Sequence, residues 1–260
     1  MSLSLASFRP APSLLLLLST KRLLPALGLA LLGALAQAQG FTQCRGFFPA
    51  GTPPRLSATV AQPRELCFAA FATLHSGRTK TPVYTVERLT REQLLDARDE
   101  QRTQRFFADA RLPSAERATL EDYKGSGFDR GHMAPAADMP TPTAMAQSFS
   151  LANIVPQAPR NNQRTWAEIE KATRRYVMRA QGPVYVFTGP VFGARPRSIG
   201  EGRVWVPAYL YKLVYDASTR RAWAHWVENS DDARAGPPIS YQELVRRTGI
   251  EFLPGLQPRA

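Results

Sequence analysis

Two alternating runs late in the chain, Tyr209 to Tyr215 and Arg221 to Val227, constrain the fold most. Each has the period of two expected of a half-buried strand, and the short Asp216 to Thr219 turn between them leaves room only for an antiparallel pair. Val184 to Thr188 reads as an apolar strand ending at Gly189-Pro190, and Val83 to Glu87 as another strand. Between them lies an amphipathic helix, Trp166 to Ala180, with Trp166, Ile169, Thr173, Tyr176, Val177 and Ala180 on one face. Gly182-Pro183 stops it. Shorter helices are expected over Arg91 to Gln101 (Thr90 as N-cap), over Thr143 to Phe149, and over Tyr241 to Arg247 between Ser240 and Gly249. Leu151 to Val155 reads as a strand, Ser114 to Tyr123 as a surface segment, and Lys124 to Gly127 as a turn. Strands and helices mixed without a βαβ rhythm point to an α+β fold rather than a doubly wound one.

The N-terminus reads as a targeting segment. Lys21 and Arg22 precede a 13-residue apolar stretch, Leu23 to Leu35, followed by the A-x-A sites Ala34 to Ala36 and Ala36 to Ala38. The expected organisation is a signal peptide over 1–38, an irregular proline-rich extension over 39–65, and a catalytic domain over 66–258. An uncleaved anchor that also uses Leu14 to Leu18 is the alternative. Export implies a periplasmic or secreted protein without stable membrane association after cleavage. Cys44 and Cys67 would then meet an oxidising compartment, where they either bridge, closing a loop worth about 3 kcal/mol, or remain two buried thiols. The formal charge is +12, and removing 1–38 takes away Arg9, Lys21 and Arg22 and no acid, which leaves +9. So basic a chain calls for a polyanion: nucleic acid, an anionic membrane or an acidic polysaccharide.

The chemistry concentrates in Phe128-Asp129-Arg130-Gly131-His132-Met133-Ala134-Pro135. A neutral imidazole can take a proton from water near pH 7, and a guanidinium matches phosphate oxygens in a fork. A glycine would let a bulky polyanion approach the backbone. Twenty-one residues beyond His132 comes Asn153-Ile154-Val155-Pro156-Gln157, then Asn162, Gln163, Trp166 and Glu170. A hard cation such as Mg²⁺ needs oxygen ligands and keeps much of its water, so the Asn162 amide oxygen is a credible tether. Asn162 can equally be a helix N-cap, Glu170 a surface partner of Arg174, and Trp166 a core residue. His75 and His225 read as structural.

These motifs, in this order and with Val184-Tyr185, Thr188-Gly189-Pro190 and Arg246 to Gly249 after them, resemble the non-specific DNA/RNA endonucleases of the ββα-metal (His-Me finger) superfamily. The resemblance covers roughly residues 66–258. It implies a ββα-metal finger on a central, mainly antiparallel sheet flanked by helices. It implies DNA and RNA as substrates, Mg²⁺ as cofactor with Mn²⁺ as a substitute, and 5′-phosphate products. By the same resemblance His132 is the general base, and Arg130 contacts nucleic acid or phosphate. Asn153 orients the site, Asn162 ligates the metal, and Glu170 holds a metal water. An upstream arginine stabilises the transition state: Arg102, near Phe106 and Asp109, or its competitor Arg105. Activity is expected to fall in acid near the ordinary histidine pKa of about 6.5. A non-catalytic nucleic-acid-binding protein on the same fold is the alternative. The oligomeric state is left open, a homodimer included.

Overall fold

The computed structural model describes residues 40–260, so the signal-peptide reading lies outside the described residues. In chain order the elements are β1 (Arg55–Leu56), β2 (Pro63–Cys67), β3 (Phe71–Ser76), β4 (Thr81–Leu89), α1 (Arg91–Asp96) and α2 (Leu120–Tyr123). Then come β5 (Asp129–His132), α3 (Pro142–Ser148), β6 (Ile154–Gln157), α4 (Ala167–Val177), β7 (Val184–Val191), β8 (Ser198–Ile199) and β9 (Val204–Trp205). The chain closes with β10 (Tyr209–Asp216), β11 (Arg221–Glu228), β12 (Ile239–Ser240), α5 (Tyr241–Thr248) and β13 (Ile250–Glu251). Among the described residues no helix is long and apolar enough to cross a membrane.

A seven-stranded antiparallel sheet, ordered β12-β11-β10-β7-β4-β3-β2, forms the frame. Its central strands are covered on both faces, and successive side chains go to opposite sides. Tyr84, Val86, Phe187, Tyr211, Leu213, Tyr215, Ala222 and Ala224 pack with Phe41, Phe48, Leu244 and Phe252 on one face. Leu89, Val184, Val186 and Val214 pack with Leu94 and Val177 on the other, beside a cluster of Leu210 and Val227 with Trp166 and Ile169. The hairpin pairs as the alternation requires, from Tyr209 opposite Glu228 to Asp216 opposite Arg221.

The ββα unit is β5 paired antiparallel with β6, followed by α4 on the second face of the sheet. The fold is α+β, with this finger on a central antiparallel sheet flanked by helices.

Several boundaries differ from the sequence expectation. The residues of 40–65 belong to the globular body: Phe41 and Phe48 are core residues, β1 pairs with β13, and β2 begins at Pro63. The Cys44–Cys67 disulfide ties this segment to the edge strand β2. The segment Ser114 to Tyr123 is not a surface stretch, because Glu116, Asp122 and Tyr123 are buried. Glu116 takes a two-pronged hydrogen bond from Arg64, and Asp122 accepts from the Gly202 amide. Leu151–Asn153 is a 3₁₀ turn, and the strand starts only at Ile154. The α1 helix stops at Asp96, with Thr90 Oγ1 accepting from the Gln93 amide as its cap. β7 runs on through Gly189-Pro190 to Val191. A Cβ at Gly189 would sit 2.6 Å from the Val83 carbonyl oxygen, so glycine is needed there, and Pro190 lies past the end of the β4 pairing.

Candidate active site

The short strand β5 carries Arg130 and His132 on one side, because alternate strand residues share a face. His132 is 8% exposed, and its ring is walled by Phe149 at 4.8 Å and Phe106 at 5.4 Å between centroids. Arg130 lies over the Phe106 ring at 4.3 Å, and Arg102 over Phe149 at 5.3 Å. The same two aromatic rings therefore seat the imidazole and both guanidinium groups.

A cavity of about 320 Å³ opens above this arrangement, lined by Arg102, Arg130, His132, Asn162, Gln163 and Glu170 among others. Five of the residues singled out from the sequence meet there: His132, Arg130, Arg102, Asn162 and Glu170. Arg105, the competitor for the upstream role, is exposed and does not line it.

Asn153 sits behind the site rather than in it. It is fully buried and lies outside the cavity. Its Oδ1 accepts from the Ala134 amide, and its Nδ2 donates to the Ala134 and Ser148 carbonyls, all at 2.9 Å. It clamps the backbone two residues after His132 and touches neither the imidazole nor the space where a phosphate would sit. Gly131 is a correction. It is buried rather than open to a polyanion, and a Cβ there would lie 2.7 Å from Cβ of Gln157 on the paired strand. The glycine serves β5–β6 packing.

Asn162 lies in a single π-helical turn, Asn161–Trp166, that leads into α4, so it caps nothing. Such turns displace side chains from the α-helical row and recur at functional sites. Asn162 Nδ2 donates to Asp129 Oδ2 at 2.9 Å, and Gln163 Nε2 donates to the same oxygen. With its nitrogen held, the Asn162 amide leaves its oxygen as the group available to a cation. Glu170 is two turns further along, half-buried, and does not pair with Arg174, whose guanidinium bonds Asp138 at 2.9 Å. Among the described residues no three His, Cys, Asp or Glu side chains converge as metal ligands. One amide oxygen and one carboxylate suit a cation that keeps most of its water and takes substrate oxygens for the rest, which is the habit of Mg²⁺.

The electrostatics set the protonation states. Burial, followed by the positive charges of Arg102 and Arg130, lowers the His132 pKa to about 3, so the ring is neutral at pH 7. Its Nε2 is buried with no hydrogen-bond partner. Burial raises Glu170 to about 7, opposed by Lys212 and assisted by Asp138. Burial thus holds the Glu170 carboxyl above its usual range, whereas the sequence expectation placed titration near neutrality on His132.

Near the cavity lie three buried ionisable groups with no part in the sequence expectation, Glu87, Asp138 and Lys212, with half-buried Arg174 bonded to Asp138. Lys212 is 1% exposed; its Nζ donates to Thr188 Oγ1 at 2.7 Å and stands 5.4 Å from the Trp166 ring centre. Burial pushes the Glu87 carboxyl well above its usual range. A signal for Lys212 existed: it occupies the same face of its strand as Leu210 and Val214, where a lysine is out of place. His75 is structural, fully buried with Nε2 at 2.9 Å from the Glu116 carbonyl oxygen. Trp166 is a core residue at 1% exposure.

Known proteins share this arrangement of chain. A family model described as DNA/RNA non-specific endonuclease matches residues 55–259. Human mitochondrial Endonuclease G is 32% identical over 209 residues, covering 74% of this chain and 70% of the relative. Nuclease C1 of Cunninghamella echinulata var. echinulata is 38% identical over 197 residues, covering 70% of this chain and 77% of the relative. A solved structure of an EndoG/EndoGI complex aligns with a TM-score of 0.68 at 23% identity, over 83% of this chain and 93% of that one, and so supports the fold.

Proposed function

The chain belongs to the DNA/RNA non-specific endonuclease family, and from that membership we propose an exported, Mg²⁺-dependent enzyme with His132 as general base and 5′-phosphate products. The observation that carries this reading is the shared cavity. A neutral imidazole, two guanidinium groups, a tethered amide and a half-buried carboxylate line one space large enough for a phosphodiester.

His132 accepts a proton from a water in line with the scissile bond. Burial first, and then the charges of Arg102 and Arg130, depress its basicity. A phosphate bound between Arg102 and Arg130 offsets the arginine part of that effect as the reactant arrives. Arg102 and Arg130 also meet charge that builds on the phosphate in the transition state. The Asn162 amide oxygen would ligate Mg²⁺, with Mn²⁺ as a substitute, and Glu170 would hold a water of that ion. When bound, the ion supplies Lewis-acid neutralisation of the phosphate and the departing 3′-oxygen. Asp129 acts as a positioning residue through its grip on Asn162, and Asn153 through its clamp on the β5 exit. Reading of phosphates rather than bases accounts for attack on both DNA and RNA.

Periplasmic or secreted location is supported by the Cys44–Cys67 bridge, which suits an oxidising compartment. The test of the whole reading is plasmid and RNA cleavage by the protein from residue 39. Wild type should cut in Mg²⁺, stop in EDTA, and leave 5′-phosphate ends. His132→Ala should fold and lose cleavage by orders of magnitude. Cutting by that variant at the wild-type rate would remove His132 from the role.

A further inference from the structure

Next to the catalytic cavity lies a larger groove of about 650 Å³ that shares Arg102, Ala136 and Ala137 with it. One wall comes from the end of α1 and the residues after it, the other from the exposed side of α4 and its C-terminal end. The cations are unevenly committed. Lys171 is paired with Glu168 and Arg174 with Asp138, whereas Arg98, Arg175 and Arg179 are exposed and have no salt bridge among the described residues. Arg175 lies in the last turn of α4 and Arg179 just past its end. The floor is apolar, with buried Leu94 and Met145 and half-buried Met178.

We propose that this groove is a subsite for the single-stranded nucleic acid that flanks the scissile phosphate. The inference rests on the nuclease reading and specifies where its substrate runs. Unpaired guanidinium groups on the walls match successive phosphates, and continuity through Arg102 leads the strand directly into the catalytic cavity. The methionine and leucine floor takes the faces of unstacked bases without regard to sequence, because every base presents an aromatic ring and thioethers pack well on such rings. A duplex keeps its bases stacked inside and would touch only the rim.

Binding of a 12-residue oligo-dT, followed by fluorescence anisotropy in EDTA over a range of salt, tests this. Arg175→Gln/Arg179→Gln removes two phosphate contacts, so the slope of log K against log salt should shrink by about 1.4. Arg45→Gln/Arg55→Gln removes the same charge from the opposite side of the sheet and should leave the slope as in wild type. Melting curves check that both variants fold. An abasic oligomer of equal charge should bind wild type more weakly than oligo-dT does. An unchanged slope in the groove variant, an equal loss in the control variant, or equal binding of the abasic strand would overturn the subsite. If wild type cuts plasmid in Mg²⁺ while any of these holds, only the subsite falls. Failure of wild type to bind or cut would remove the nuclease reading and the subsite with it.

Discussion

The two buried neutral histidines make a quantitative prediction about acid stability. His75 titrates at about 4 and His132 at about 3 in the folded protein, both held down first by burial. An unfolded chain protonates each near pH 6.5. Above that value neither state binds the proton, and the histidines leave stability untouched. As pH falls below it, the unfolded state gains protons that the folded state refuses, so stability is lost until the folded pKa is reached. Between pH 7 and pH 5 each histidine should cost about 2 kcal/mol. Because both folded values lie below 5, that figure depends on the unfolded pKa and hardly on the depth of the shift. The geometry gives the reason: Nδ1 of His75 and Nε2 of His132 are buried without partners, so a proton there would create an unanswered donor on a charged ring. Urea denaturation at pH 7 and pH 5, with the disulfide intact, measures the effect in wild type, His75→Gln and His132→Asn. Raised carboxylates such as Glu87 and Glu170 act in the opposite sense, so the informative quantity is the difference from wild type. Each variant should lose about 2 kcal/mol less than wild type across that interval. A variant that loses as much stability as wild type would refute the buried neutral state of the histidine it replaces.

Other outcomes follow from the packing and the tethers. Asp129→Ala frees the Asn162 amide and should weaken Mn²⁺ binding by about 10- to 100-fold, read by calorimetry, while the thermal melt moves little. Gly131→Ala drives a methyl into Gln157 and should destabilise by about 1–3 kcal/mol in urea denaturation. Cys44→Ser/Cys67→Ser should cost about 3 kcal/mol, and wild type should approach that variant when dithiothreitol is added.

What could be read from the chain was whatever repeats locally. The β10–β11 hairpin and α4 announce themselves by period, and α5 by its ends: Ser240 caps it and Gly249 closes it at a φ of 68°. His132, Arg130, Asn162 and Glu170 were visible as residue types whose spacing matched a family. Non-local bonds were invisible. Glu116 and Asp122 look like surface acids until Arg64 and the Gly202 amide arrive from 52 and 80 residues away. Asn153 is legible as polar and close to the motif, but its three hydrogen bonds, all to backbone, are not. The π turn at Asn161–Trp166 has no signature of its own, since the tryptophan face continues smoothly into the helix. The choice between Arg102 and Arg105 needed three dimensions, because both are exposed arginines in a segment without regular structure.

The pairing of β5 with β6 spans only four residue pairs, from Asp129 opposite Gln157 to His132 opposite Ile154. A strand that short carries its meaning in parity. Inserting or deleting a single residue between Asp129 and His132 would swap inside for outside, turning Arg130 or His132 away from the phosphate while every functional side chain stayed in the gene. Changes of length are therefore expected to be purged within the tetrapeptide, so the reading frame of one small ladder guards the cavity as strictly as its side chains do.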